Sequence, residues 1–136
     1  MQSGMIEAPS PAPSSPVSAV VIGRNEGARL VACLSSLKPQ VGRIVYVDSG
    51  STDGSVQAAK DLGAEVVTLD MGRPFTAARA RNAGLERLDG NGLVQFVDGD
   101  CAVFPEWIAV AQHWLEKHPK AVVICGRRRE KHPGSS

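Results

Sequence analysis

Residues 17–54 read VSAVVIGRNEGARLVACLSSLKPQVGRIVYVDSGSTDG, and the fold turns on them. Residues 17–22 form a short, β-branched apolar run without strict alternation, the pattern of a parallel strand buried on both faces. The loop Gly23-Arg24-Asn25-Glu26 follows. Leu30, Leu34 and Leu37 then recur at spacings of four and three, which predicts a helix from near Gly27 that Pro39 stops. Residues 43–48, RIVYVD, read as a second strand running straight into the turn Ser49-Gly50-Ser51-Thr52-Asp53-Gly54. Strand, helix, strand of this length is one right-handed crossover unit, so the two strands are expected to be parallel.

Working outward, the same alternation continues. Thr52 or Asp53 is positioned to cap a short helix packed through Val56, Ala59 and Leu62, with Gly63 ending it. A third strand is expected over 65–69, an alanine-rich helix over 76–88, turn residues over 89–92 and a fourth strand over 93–97 that ends in Asp98-Gly99-Asp100. Pro105 opens a helix to His118 that should bury Ile108, Leu115 and either Trp107 or Trp114. A last strand over 121–126 precedes the charged run 127–131. Residues 1–16, rich in Pro and Ser, read as a disordered leader, and 132–136 as a tail, leaving 17–131 as one domain. The expected fold class is α/β: a mostly parallel sheet with helices on both faces, Rossmann-like, whose ligands sit at the carboxyl ends of the strands.

Composition narrows the function classes. Fifteen Lys and Arg against fourteen Asp and Glu in 136 residues give a net charge of +1, so no basic field points to nucleic acid or an anionic surface. Apolar runs such as 17–22 and 121–125 are far shorter than the roughly 18–20 residues of a spanning helix. No secretory signal fits the first sixteen residues, which makes the cytoplasm the expected compartment, with at most a peripheral association with the inner face of the membrane. Cys33, Cys101 and Cys125 are widely spaced and lack a CxxC pair, as reduced, mostly buried thiols would be.

The chemistry-bearing residues cluster at strand exits. Asp98 and Asp100 flank a glycine, and two carboxylates at such a turn suit Mg²⁺ or Mn²⁺, which take protein carboxylates and a diphosphate together. An ordinary Asp-Gly turn has the same sequence. Asp48 could accept hydrogen bonds from a base or ribose, or simply cap a turn, and Asn25 and Glu26 carry the same ambiguity. Arg79 and Arg81 are two apart on a helix and cannot both face a ligand; Arg81 is the candidate for a diphosphate and Arg79 the solvated one. His113, His118 and His132 lack metal-ligand spacing, the Arg127 to Arg129 run reads as a solvated face, and the acidic turn beside Cys101 opposes a thiolate there.

In their order and spacing, VSAVVIGRNEGARL, VYVDSGSTDG, AARARNAGLE and FVDGDC resemble the amino-terminal half of a family 2 glycosyltransferase of the GT-A fold. The resemblance implies a nucleotide-sugar site in which Asp48 faces the base, with the backbone near Ile22 lining a uridine-like pocket and Asn25, Glu26 and Ser49 beside it. It implies Arg81 near the diphosphate, and a DxD metal motif at Asp98-Gly99-Asp100, with Asp98 and Asp100 as ligands and Asp100 the more direct. The implied reaction is inverting: an acceptor hydroxyl attacks the anomeric carbon of a UDP- or GDP-linked sugar as the metal-bound nucleoside diphosphate leaves. The implied acceptor is a polysaccharide, lipid-linked or other glycan.

Two departures stand out. Many members carry a second acid where this chain has Ser49, and the family's catalytic domain runs on for about another hundred residues. The expectation is therefore a donor half without the general base, binding nucleotide but not transferring sugar as a separate chain, with apolar surface left for self-association. Two rivals remain at this level. A nicotinamide-dependent oxidoreductase shares the strand–loop–helix plan, but the loop GRNEG lacks GxGxxG and would set Glu26 against a pyrophosphate. A non-catalytic nucleotide-binding remnant of a glycosyltransferase would keep every motif.

Overall fold

The computed structural model describes residues 17–88 and 92–120. Four strands and four helices alternate: β1 (Val17–Gly23), α1 (Ala28–Leu37), β2 (Arg43–Asp48), α2 (Ser55–Asp61), β3 (Glu65–Thr68), α3 (Ala77–Leu85), β4 (Leu93–Asp98) and α4 (Trp107–Lys117). All pairings are parallel, in the order β3-β2-β1-β4. The expected leader, the last strand, the basic run and the tail lie outside the described residues. None of the described helices is long and apolar enough to cross a membrane.

Because β1 and β2 are central, both of their faces must be covered, and their side chains divide by parity. Ala19 and Val21 of β1 with Ile44 and Tyr46 of β2 face α1 and α2, packing on Leu30, Cys33, Leu34, Leu37 and Ala59. Val20, Ile22, Val45 and Val47 face the other way, onto Ala80 of α3. Each large aliphatic side chain so buried contributes about 1.5–3 kcal/mol relative to exposure. The leucine spacing read from the sequence is the buried stripe of α1, and Lys38 and Pro39 follow its end.

α3 lies unusually close to the sheet, and Gly84 is the reason. A Cβ added there would sit 2.4 Å from Cγ1 of Val20 and 3.1 Å from Cγ2 of Val47. β-branched side chains in a sheet have little rotamer freedom to yield.

Local details differ from expectation in physically simple ways. Gly54, not Thr52 or Asp53, is the N-cap of α2; Asp53 instead accepts the Ser55 amide at 2.9 Å, from one residue further out. α3, expected over 76–88, spans Ala77–Leu85 and is capped by Thr76, whose Oγ1 accepts the Arg79 amide at 3.0 Å. α4 begins two residues past Pro105, after Glu106 in the left-handed region at φ 69°. It buries Ile108 and Ala111, while Trp114 remains 40% exposed and stacks on His118 with ring centroids 3.8 Å apart.

The Gly84 contact generates a prediction. Gly84→Ala should destabilise the fold by about 1–3 kcal/mol through overpacking, despite the better helix propensity of alanine. In Gly84→Ala/Val20→Ala the removed Val20 methyls should make the combined loss smaller than the sum of the single losses, as read by denaturant unfolding.

Candidate functional site

Parallel register brings the strand exits to one edge of the sheet. Gly23 is level with Asp48, and Ile22 is level with both Val47 and Asp98. The candidate residues singled out in the sequence therefore share that edge, although they are separated along the chain by up to seventy-odd positions.

The first two exit loops are laced together by polar contacts. The Ser49 amide donates to the Gly23 carbonyl at 3.0 Å, and the Asn25 amide donates to Ser51 Oγ at 2.9 Å. Asn25 Oδ1 in turn accepts from the Thr52 amide at 2.7 Å and the Asp53 amide at 3.3 Å, and the Gly27 amide donates to Ser55 Oγ at 3.2 Å. Asn25 reaches this position with φ 52°, a left-handed conformation that asparagine adopts more readily than most residues. Its side chain thus acts as a turn mimic for the neighbouring loop.

Asp48 is 2% exposed and turned into the protein. Its Oδ1 accepts from Tyr46 Oη at 2.8 Å and Ser51 Oγ at 2.6 Å, and its Oδ2 accepts from the Ser51 amide at 2.8 Å. Three of roughly four acceptor positions on the carboxylate are thereby filled from within, leaving one on Oδ2. The physical reason is that a buried carboxylate without donors would carry a large desolvation penalty. Burial, and then the bond to Asp48, push the Tyr46 hydroxyl well above its ordinary pKa. Asp53, on the exposed side of the same loop, is held below the usual carboxylate range by the Ser55 hydroxyl and amide.

Ser49 is buried, and its hydroxyl has no hydrogen-bond partner among the described residues. Glu26 leans across the first loop with Oε1 3.1 Å from Arg29 Nη2; no aligned hydrogen bond reaches that buried oxygen, so the contact is a through-space ion pair. The Ile22 carbonyl accepts the Gly99 amide at 2.8 Å. A Cβ on Gly99 would meet that carbonyl at 3.2 Å and Glu26 Cγ at 3.3 Å, so the acidic turn approaches β1 as closely as a glycine allows.

Asp98 and Asp100, on either side of Gly99, are both exposed. Arg81 Nη2 stands 3.8 Å from Asp98 Oδ1, and Asp100 Oδ1 accepts from Cys101 Sγ at 3.3 Å. Both partners of the Arg81 pair are substantially solvated, which limits its worth to about 0–1 kcal/mol. Arg79 points elsewhere, as the two-residue spacing requires. Its Nη2 donates to the Asp70 carbonyl at 2.6 Å and its Nη1 to the Arg73 and Pro74 carbonyls at 3.3 Å, so the residue expected to be solvated instead staples the 70–74 loop to α3. That loop packs back on the second exit, where a Cβ on Gly50 would lie 3.2 Å from Met71 Cγ.

Among the described residues no three His, Cys, Asp or Glu side chains gather as a complete metal site. Two exposed carboxylates bracketing a glycine nevertheless fit a cation such as Mg²⁺ or Mn²⁺, whose shell is ordinarily completed by phosphate and water. The loop-lacing serines and Tyr46 were not legible as site residues in the sequence. The only cue was the run of small hydroxyl residues after Asp48, which any turn would share.

Two predictions follow from this geometry. Asn25→Ala, which loses the side-chain acceptor and strains φ, should cost about 1–3 kcal/mol in thermal unfolding. Asn25→Gly, which loses only the acceptor, should cost less. Cys33 provides the second: burial, then its proximity to Cys101 and the carboxylates of Asp100, Asp98 and Glu26, push its thiol from 9.0 up to about 12. A raised pKa means that the folded state favours the neutral thiol. This contribution to stability is complete below pH 9 and should decline as pH rises from 9 towards 12. At pH 8 iodoacetamide should label Cys33 only in the unfolded chain, as read by peptide mass mapping.

Comparison with known proteins agrees with the fold. Residues 18–135 match the sequence profile of "Glycosyl transferase family 2". An uncharacterized glycosyltransferase of Rickettsia felis is 33% identical over 84 residues, covering 62% of this chain and 28% of that protein. Among solved structures, S. aureus TarS superposes with a TM-score of 0.64 at 24% identity, covering 85% of this chain and 38% of that one, a likeness of fold. Glucosyl-3-phosphoglycerate synthase from Mycobacterium tuberculosis, solved with Mn²⁺, uridine diphosphate and glucosyl-3-phosphoglycerate, superposes with a TM-score of 0.54 at 27% identity, covering 63% of this chain and 34% of that one. The chain thus spans roughly a third of these solved structures, and less of the Rickettsia protein. The motif order, the α/β sheet and the profile match agree: the chain belongs to glycosyl transferase family 2 and carries part of its GT-A fold.

Proposed function

We propose that this chain forms the donor side of an inverting glycosyltransferase, binding a nucleoside-diphosphate sugar together with Mn²⁺ or Mg²⁺. The observation that carries the reading is the Asp98-Gly99-Asp100 turn, with both carboxylates exposed and Arg81 alongside, at the same sheet edge as the laced loops of β1 and β2. Family membership sets aside the nicotinamide-dependent alternative.

In this reading Asp98 and Asp100 hold the cation, whose positive charge offsets that of the departing diphosphate. Arg81 is near enough to Asp98 to exchange its long ion pair for the paired oxygens of a diphosphate, a geometry that suits a guanidinium fork. On the base side, Ile22 and Asn25 offer backbone and turn surface, Glu26 closes the loop, and Asp48 retains its one open acceptor on Oδ2 for a base N–H. The buried Ser49 hydroxyl lies in the same loop and lacks a partner among the described residues, so it is the natural second contact for the base or ribose. Support for a uridine nucleotide comes from the relative solved with uridine diphosphate and Mn²⁺; a GDP-linked donor is the alternative. The acceptor is a polysaccharide, lipid-linked or other glycan, and the base that deprotonates its hydroxyl is not among the residues assigned to the site.

Calorimetric titration tests this. Uridine diphosphate should bind the wild-type chain in the presence of Mn²⁺ and not in the presence of chelator. Asp100→Ala should weaken binding by about tenfold or more, the worth of one charge-assisted contact. Binding indifferent to both chelation and Asp100→Ala would remove the metal-dependent donor site. Metal-dependent binding without sugar turnover is the expected behaviour of the separate chain, and turnover would show that this chain suffices for transfer.

A further inference from the structure

The stretch that leaves the acidic turn has no regular structure, for residues 101–106 are neither helix nor strand. Its backbone groups need partners, and one side of α1, with the residues just beyond it, provides them. Leu30 Cδ1 lies 3.5 Å from where a Cβ on Gly99 would stand. Cys33 Sγ lies 3.8 Å from the Asp98 carbonyl oxygen, which also accepts the Cys101 amide at 2.9 Å. Ser36 Oγ donates to the Cys33 carbonyl at 2.6 Å and accepts the Val103 amide at 2.9 Å. Just past the helix, Gln40 Nε2 donates to the Ser36 carbonyl at 2.8 Å and the Phe104 carbonyl at 3.1 Å, while its Oε1 accepts the Ile108 amide at 3.1 Å. Positions 30, 33, 36 and 40 are three or four apart, so they follow one stripe down the helix and its continuation.

We infer that Ser36 and Gln40 are positioning residues for the acidic turn, through which α1 and the residues just past it set where Asp100 stands beside Asp98. On its near side the turn is tied to β1 by the Gly99 amide on the Ile22 carbonyl, and on its far side by Val103, Phe104 and Ile108 on Ser36 and Gln40. Only Asp100, Cys101 and Ala102 lie between the tied residues Gly99 and Val103, so the Asp100 carboxylate inherits its place from both anchors. A small divalent cation bound at about 2.0–2.1 Å tolerates little displacement of its ligands. Cation binding therefore depends on side chains that never touch the cation. This last consequence rests on the proposed donor site; the anchoring itself does not.

The test separates the two. Ser36→Ala and Gln40→Leu should accelerate amide hydrogen exchange about tenfold across residues 99–108, at unchanged exchange in β1 and β2, since each removes a hydrogen bond local to that stretch. Ser36→Thr, which retains the hydroxyl, should restore wild-type exchange. Thr76→Ala, which removes the cap of α3, should lower overall stability without a local effect at 99–108. Exchange at 99–108 that is unchanged in both Ser36→Ala and Gln40→Leu, or that rises equally in Thr76→Ala, overturns the inference. Mn²⁺ paramagnetic resonance in the presence of uridine diphosphate then reads the consequence. Affinity should fall about tenfold in Ser36→Ala and Gln40→Leu and recover in Ser36→Thr. Wild-type affinity in both variants, despite accelerated exchange, refutes the positioning role. Absence of Mn²⁺ binding in the wild type overturns the donor-site reading instead and leaves the anchoring to be decided by exchange alone.

Discussion

Hydrogen-bond register between parallel strands is the constraint on which everything else in this structure rests. β1 pairs along both of its edges, and the pairing sets Gly23 level with Asp48 and Ile22 level with Asp98. A shift of one residue in either ladder would exchange the two faces of the strand, setting Val20 and Ile22 under α1 and Ala19 and Val21 under α3, and would move every exit residue by one position. Burial on both faces therefore does more than stabilise the sheet. It fixes, to the residue, which side chains stand at the exits, and so delivers an inward-turned aspartate and two outward-turned ones to the same edge.

Above that edge the chain changes its chemistry from apolar packing to dense local hydrogen bonding. Asn25, Ser51, Ser55 and Asp48 connect two loops that have no repetitive structure of their own, mostly through contacts to backbone amides. Each such contact is worth only about 0.5–1.5 kcal/mol net, so no single one holds the loops. Rigidity at the exits is thus distributed over several small polar residues. On the opposite side of the edge the cost of close approach is met by glycine, at Gly99 against the Ile22 carbonyl and at Gly84 against Val20.

Much of the fold was legible in the sequence because it depends on short-range patterns. The limits of β2 follow from RIVYVD alone, and the leucine spacing of α1 names its buried stripe. The acidic turn and Arg81 were legible as well, through their place after a strand and on the helix before it. The inward orientation of Asp48, the loop-bridging role of Asn25 and the carbonyl contacts of Arg79 were not. Those depend on partners such as Tyr46 and Ser51, or on carbonyls that any residue would carry, and neither period nor propensity marks them. α4 shows the converse: its spacing suits a buried face of Ile108, Leu115 and one of the two tryptophans, yet the helix buries Ile108 and Ala111, leaves Leu115 and Trp107 half-buried, and sets the Trp114 indole against His118.

The staple made by Arg79 has a mechanical implication. The 70–74 loop is delivered by β3 but fastened to α3, and α3 also carries Arg81 to the acidic turn. Met71, over Gly50 of the second exit, and Arg81, beside Asp98, therefore share one mount, although they stand over different strands. With Gly84 seating that helix against Val20 and Val47, the two sides of the edge are gauged from a single rigid rod rather than from two independent loops.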